Sequence, residues 1–202
     1  HVPFCIRHCN FCHLPVIVGA KAAERADYVE TLLKEIELQS NRIMGQKIKA
    51  RDILFGGGTP THLNPSELER LFAGTLDRLE MKDCSQISVD LDPGTLIGRV
   101  GLERLQILKK YGVSRLAMGV QDLEDGVARA MGRSHNGEGA ELAIARALDL
   151  GFKVNIEFIF GYPGQTLESW IQTIERAVRL GVHEIQVYRL EVTPYRSRKD
   201  QL

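Results

Sequence analysis

Three of the four cysteines, Cys5, Cys9 and Cys12, fall within eight residues in the pattern Cys-x3-Cys-x2-Cys. Thiolates are the ligands of soft metals, and cubane iron–sulfur clusters are usually held by four of them. Three local ligands would leave one iron with an open coordination position, as catalytic metal sites do. The same spacing also suits a zinc knuckle completed by His8 or His13, and on the residues alone both readings stand. Cys84 lies more than seventy positions away, just before an apolar run, and is expected to be a small buried residue. One tight trio plus a distant fourth makes a poor disulfide framework, so reduced thiols and a cytoplasmic chain are expected.

A second candidate is Gly56-Gly57-Gly58-Thr59-Pro60-Thr61. Glycines let a backbone approach a ligand closely, and consecutive amides can form a nest for a carboxylate or phosphate. The plain alternative is a tight strand-to-helix turn. No Gly-Lys-Ser/Thr follows, which excludes a P-loop, and Thr59-Pro60 breaks a dinucleotide fingerprint. Glu157 interrupts the apolar run from Val154 to Phe160, and a carboxylate there costs free energy unless it is paired or binds something. Asp90 and Gln121 end two other apolar runs in the same way. Arg129 and Arg133 lie one helical turn apart; a solvated face is the simpler account of Arg129.

The elements that must position these residues alternate. Apolar runs expected to be parallel strands cover 2–4, 52–55, 86–91, 115–120, 153–160 and 184–190. Helical patterns lie between them. The first, 28–44, has Tyr28, Leu32, Ile36 and Ile43 near one stripe, with Asp27 and Glu30 spaced as a capping box. The next starts at Asn64, with Pro65 at its first position and Glu67 three residues after the cap. Others cover about 102–111, 123–131, 139–150 and 167–180, and Gly112, Gly151 and Gly181 follow three of them as C-terminal caps. Six consecutive βα units favour an α/β partial barrel, with an open doubly wound sheet as runner-up. Chemistry then belongs at the carboxyl ends of the strands, where the cysteines, the glycines, Asp90, Gln121 and the Gly161-Tyr162-Pro163-Gly164-Gln165 turn all fall.

The chain has 202 residues, 44% hydrophobic and 26% charged, an ordinary globular composition read here as one domain. Basic and acidic residues number 26 each, and a net charge of zero weighs against a nucleic-acid surface. No apolar run approaches the roughly 18–20 residues of a membrane span. The chain opens at His1 with no initiator Met or signal region and ends just after Thr193-Pro194-Tyr195, so both ends are expected to be cuts through a longer protein.

The motifs His-Val-Pro-Phe-Cys-x3-Cys-Asn-Phe-Cys, Phe-Gly-Gly-Gly-Thr-Pro-Thr, Met-Gly-Val-Gln-Asp and Phe-Gly-Tyr-Pro-Gly-Gln-Thr occur in that order over nearly the whole chain. Together they resemble radical S-adenosylmethionine (SAM) enzymes, and within them the oxygen-independent coproporphyrinogen III oxidase family. The resemblance implies a partial (β/α)6 TIM-like barrel of the radical SAM type over residues 1–202. It implies that Cys5, Cys9 and Cys12 hold a [4Fe–4S] cluster whose fourth iron is chelated by SAM. Reduction would then cleave SAM to methionine and a 5′-deoxyadenosyl radical. By the same resemblance Phe11 packs near the adenine, and Gly57, Gly58 and Thr59 hold the methionine end. Asp90 stands where the family usually has a Glu bonding the ribose, one methylene longer. Gln121 and Arg133 match positions that bind the ribose and the carboxylate, Glu157 falls where relatives commonly have Asp beside the ribose, and Ile159 lines the adenine.

Three departures bear on the substrate. Leu14 stands where the coproporphyrinogen oxidase proper has a fourth cysteine, the aromatic residue six before the first cysteine lies outside this sequence, and Gly-Tyr-Pro replaces Gly-Leu-Pro. The favoured expectation is an enzyme performing hydrogen abstraction or methyl or methylene transfer on a small organic molecule, a tetrapyrrole among the candidates. Its expected reductant is a flavodoxin or ferredoxin. The alternative is a haem chaperone that keeps the cluster and the SAM site.

Overall fold

The computed structural model describes residues 1–43 and 46–192; the expected helix end at Met44, the Thr193-Pro194-Tyr195 turn, Gln201 and Leu202 lie outside them. Six strands carry the fold: β1 (Phe4–Cys5), β2 (Asp52–Phe55), β3 (Gln86–Leu91), β4 (Arg115–Gln121), β5 (Lys153–Phe160) and β6 (Glu184–Arg189). The helices are α1 (Ala22–Arg42), α2 (Pro65–Asp77), α3 (Gly98–Lys110), α4 (Asp125–Ala130), α5 (Gly137–Asp149) and α6 (Leu167–Arg179). Strands β2 to β6 form one parallel sheet in sequence order. The first strand joins its edge: Val2 bridges Gly57, with Val2 N–H donating to the Gly56 carbonyl at 2.8 Å and Thr59 N–H to that of Phe4 at 2.9 Å. A doubly wound sheet reverses direction at a switch point. Sequential order is that of a partial barrel.

Register divides the strand residues between two faces. Leu116, Met118, Val154, Ile156 and Phe158 face outward into the main core with the helices. The inner face pairs Asp90 with Ala117, Gly119 with Glu157, Asn155 with Glu184 and Glu157 with Gln186. The strands are therefore not apolar on both sides. Closed barrels fill their interior with branched apolar residues; this one is polar inside, with small Ala117 and Gly119 between its two acidic neighbours.

Asn64 caps α2 as expected, exchanging backbone–side-chain bonds with Glu67, both at 2.9 Å. The expected start of α1 needs correction. Ala22-Ala23-Glu24-Arg25-Ala26 is a run of strong helix formers, so the helix begins six residues earlier, closed by Lys21 N–H on Glu24 at 2.6 Å. Asp27 and Glu30 lie inside the helix, where Glu30 pairs with Arg70 of α2. Ile43 of the expected stripe is exposed; Val29 and Leu33 carry the burial instead. Gly112, Gly151 and Gly181 follow their helices with φ of 74°, 76° and 70°, as expected. Cys84 is half-buried at the core edge, its Sγ 3.6 Å from the Gln86 carbonyl.

Candidate functional site

The cysteine loop leaves β1 at Cys5 and returns at Ile17–Val18, which pairs with Phe4–Cys5. Between these points it lies against the end of α4. Asn10 N–H donates to the Met131 carbonyl at 3.0 Å and its Nδ2 to that of Ala130 at 2.7 Å, while Cys9 Sγ sits 3.6 Å from the Gly132 carbonyl. Gly132 makes the turn with φ +81°. Cys5 Sγ lies 3.4 Å from Thr59 Oγ1. Burial pushes the Cys5 thiol up and also that of Cys9, where Arg133 opposes the rise. All four cysteines are free. Among the described residues no three His, Cys, Asp or Glu side chains gather as a site for one metal ion. A tetrahedral zinc needs its ligands about 2.3 Å from a single point, whereas each thiolate on a cubane binds a different iron.

The glycine turn corrects one expectation. Gly58 N–H donates to the Val2 carbonyl at 2.8 Å and Thr59 N–H is likewise committed to Phe4, so these amides form no anion nest. Glycine is required by close packing within the protein. A Cβ at Gly56 would meet Asp90 Oδ2 at 2.6 Å, and one at Gly58 the Pro3 backbone at 2.7 Å. Gly57 has φ +109°. The tight-turn reading accounts for these glycines, and Gly57, Gly58 and Thr59 also line the cavity described next.

That cavity, of about 180 Å³, is lined by Cys5, Cys9, Cys12 and Phe11, by the glycine turn, and by Asp90, Gln121, Arg133 and Glu157. A second of about 470 Å³ adjoins it, sharing Phe11, Cys12, Leu14, Gln121 and Glu157 and adding Ile159, Tyr188 and Leu190. The twelve residues that the resemblance assigns to the cluster and SAM thus line one joined space at the strand ends. Burial raises the Asp90 carboxyl; it raises that of Glu157 too, with the charge of Asp90 adding to the effect. Gln121 has φ +70°, the one positive value among the non-glycine residues described, at a register shift between β4 and β5. Its side chain folds back over Gly119, where a Cβ would stand 2.7 Å from its Nε2. Such strain at a cavity is typical of functional positions. Phe11 packs beside Val127, Met131, Ile159 and Tyr162.

Arg133 lies beyond the end of α4, with its side chain 8% exposed, while Arg129 is exposed on the helix as a solvated-face residue. Burial disfavours the guanidinium charge, but Asp92 and the neighbouring cysteines outweigh it and hold Arg133 above its ordinary value. Its Nη2 pairs with Asp92 at 2.9 Å and its Nη1 points at Cys9 Sγ at 3.2 Å. Its Nε is buried without a hydrogen-bond partner, a donor that a ligand carboxylate would satisfy.

Sequence reasoning missed a further set. Asp92 accepts from Ser134 Oγ at 3.0 Å, beside the buried His135, whose imidazole burial holds low. Fully buried Asp122 accepts from Thr173 at 2.7 Å and from Gln165 at 2.6 Å. Gln165 also donates to the Ile159 carbonyl at 2.8 Å and accepts from Tyr162 N–H at 2.9 Å, which locks the turn after β5. Tyr162 Oη donates at 2.8 Å to the Ala130 carbonyl that Asn10 also uses. The signal was present in Gln165 and Tyr162 of the last motif, but their partners are distant in sequence.

Residues 1–177 match the Radical SAM superfamily. The chain belongs to that superfamily. Its cofactors are the family's, a [4Fe–4S] cluster and SAM. The chain is 31% identical over 195 residues to the oxygen-independent coproporphyrinogen III oxidase of Escherichia coli K12, covering 96% of this chain and 41% of that protein. It is 32% identical over 198 residues to the heme chaperone HemW of Bacillus subtilis 168, covering 96% and 50%. The solved structure of the Escherichia coli coproporphyrinogen III oxidase, HemN, superposes with a TM-score of 0.88 at 30% identity, over 100% of this chain and 46% of that one. The chain spans half or less of these relatives. No helix among the described residues is long and apolar enough to cross a membrane.

Proposed function

We propose that residues 1–202 are the radical SAM core domain of a longer, cytoplasmic enzyme that starts radical chemistry on a small organic substrate. In this reading Cys5, Cys9 and Cys12 hold the [4Fe–4S] cluster and the joined cavities take SAM. The observation that carries it is the convergence of these cysteines, the strained Gln121, the buried Asp90 and Glu157 and the orphan Nε of Arg133 on one space. When bound, the cluster and SAM would supply one-electron cleavage to methionine and a 5′-deoxyadenosyl radical.

The chain's own residues do the positioning. Because the Gly58 and Thr59 amides are spent on β1, the glycine turn suits the ammonium of a methionine end, which needs acceptors, rather than its carboxylate. The carboxylate is left to Arg133 Nε. Asp90, Glu157 and Gln121 surround the place of the ribose, and Phe11 and Ile159 give the adenine an apolar wall. The electron is assigned to a flavodoxin or ferredoxin.

The test is 5′-deoxyadenosine production after anaerobic reconstitution and dithionite reduction with SAM. The parent should form it and Cys12→Ala should not. A second reading, a haem chaperone, is favoured by Leu14 in place of a fourth cysteine and by the comparable likeness to HemW. Haem binding by a cluster-loaded, reduced protein that forms no 5′-deoxyadenosine would select it.

A further inference from the structure

The pair formed by Asp92 and Arg133 has no role in the reading above beyond the one Nε donor. Both side chains are largely buried, 14% and 8% exposed, and a buried ion pair seldom repays its desolvation as stability alone. Asp92 is fixed from three sides: Oδ1 accepts from Gly94 N–H at 2.7 Å and from Ser134 Oγ at 3.0 Å, and Oδ2 takes Arg133 Nη2 at 2.9 Å. Arg133 Nη2 also donates to the Gly119 carbonyl. With one edge so clamped, the guanidinium plane directs Nη1 onto Cys9 Sγ at 3.2 Å. Arg is planar and rigid in its fork, so holding one nitrogen aims the other.

We propose that Asp92 is a positioning residue that aims Arg133 at the sulfur of Cys9 and thereby raises the reduction potential of the cluster. The inference rests on the reading of Cys9 as a cluster ligand. Reduction adds negative charge to the cluster and its sulfurs. A charge-assisted N–H to sulfur bond therefore favours the reduced state, and hydrogen bonds to the sulfurs are among the determinants of such potentials. Outer-shell partners of metal ligands commonly act in this way.

The sign of one measurement separates this from simple electrostatics. Asp92→Asn keeps an oxygen for Gly94 N–H but turns an NH2 toward Arg133, which releases the guanidinium from its clamp. Loss of a nearby negative charge would by itself raise the potential, whereas loss of the aimed bond lowers it. The experiment is an EPR-monitored redox titration of the reconstituted protein without SAM, for the parent, Asp92→Asn, Arg133→Gln and the double variant. Each single variant should disfavour reduction about tenfold, 59 mV for one electron, and the double should go no lower. An unchanged or raised potential in Asp92→Asn, or additive shifts in the double, overturns the proposal. Should Asp92→Asn take up no cluster, Arg133→Lys decides the point. It keeps the charge but cannot hold both Asp92 and the sulfur, so its potential should also fall, and an unchanged value overturns the proposal. A parent protein that forms no cluster defeats the cluster reading as well, a result distinct from unmoved potentials.

Discussion

At the scale of residues, the cavity holds two carboxyl side chains where burial disfavours their charge. Asp90 and Glu157 face the barrel interior on either side of Ala117 and Gly119, and burial lifts both carboxyls. Above the usual carboxylate range the folded protein then binds more protons than the unfolded chain. Stability of the cofactor-free protein is fully present below the ordinary values and declines as pH rises through the raised ones. Glu157→Gln should flatten that decline and raise the melting temperature at pH 8 by about 3 °C, with little change at pH 4; calorimetry at both pH values checks it. An equal shift at both would assign the effect to packing. The carboxylates were legible because their type clashes with an apolar run. Asp92, Ser134 and His135 were not, because each matters through a partner some forty positions away. Nor does Gln121 advertise its φ of +70°.

Among elements, two contacts position the site. The glycine turn lets β1 lie against β2, so Gly58→Ala forces a Cβ onto the Pro3 backbone. It should cost about 3 kcal/mol in chemical denaturation, the upper range for overpacking. The second contact is Gln165, which ties buried Asp122 to Ile159 near the end of β5 and to Tyr162 in the turn after it. Gln165→Leu leaves a buried carboxylate short of a donor and should cost about 3 kcal/mol by the same measurement. Strands 52–55, 86–91 and 153–160 and the Asn64 cap were readable because period and capping are local signals. The start of α1 was not, because its first turn carries helix propensity without an apolar stripe. The amide nest failed for another reason: a sequence does not reveal that β1 has already taken those donors.

For the whole molecule, six parallel strands in sequence order put their carboxyl ends around a polar interior, which makes a partial barrel a container rather than a packed core. Alternating βα units made the class readable. The polar inner face was readable only at Asp90 and Glu157, because the outward residues of β3 and β5 dominate their composition. The central claim is that this container holds a cluster with one iron left for SAM. Its most direct test is the EPR spectrum of the anaerobically reconstituted, dithionite-reduced protein with and without SAM. The account predicts a [4Fe–4S]⁺ signal that SAM perturbs and that Cys5→Ala abolishes. A signal indifferent to saturating SAM, or a protein that takes up zinc and no cluster, would contradict it.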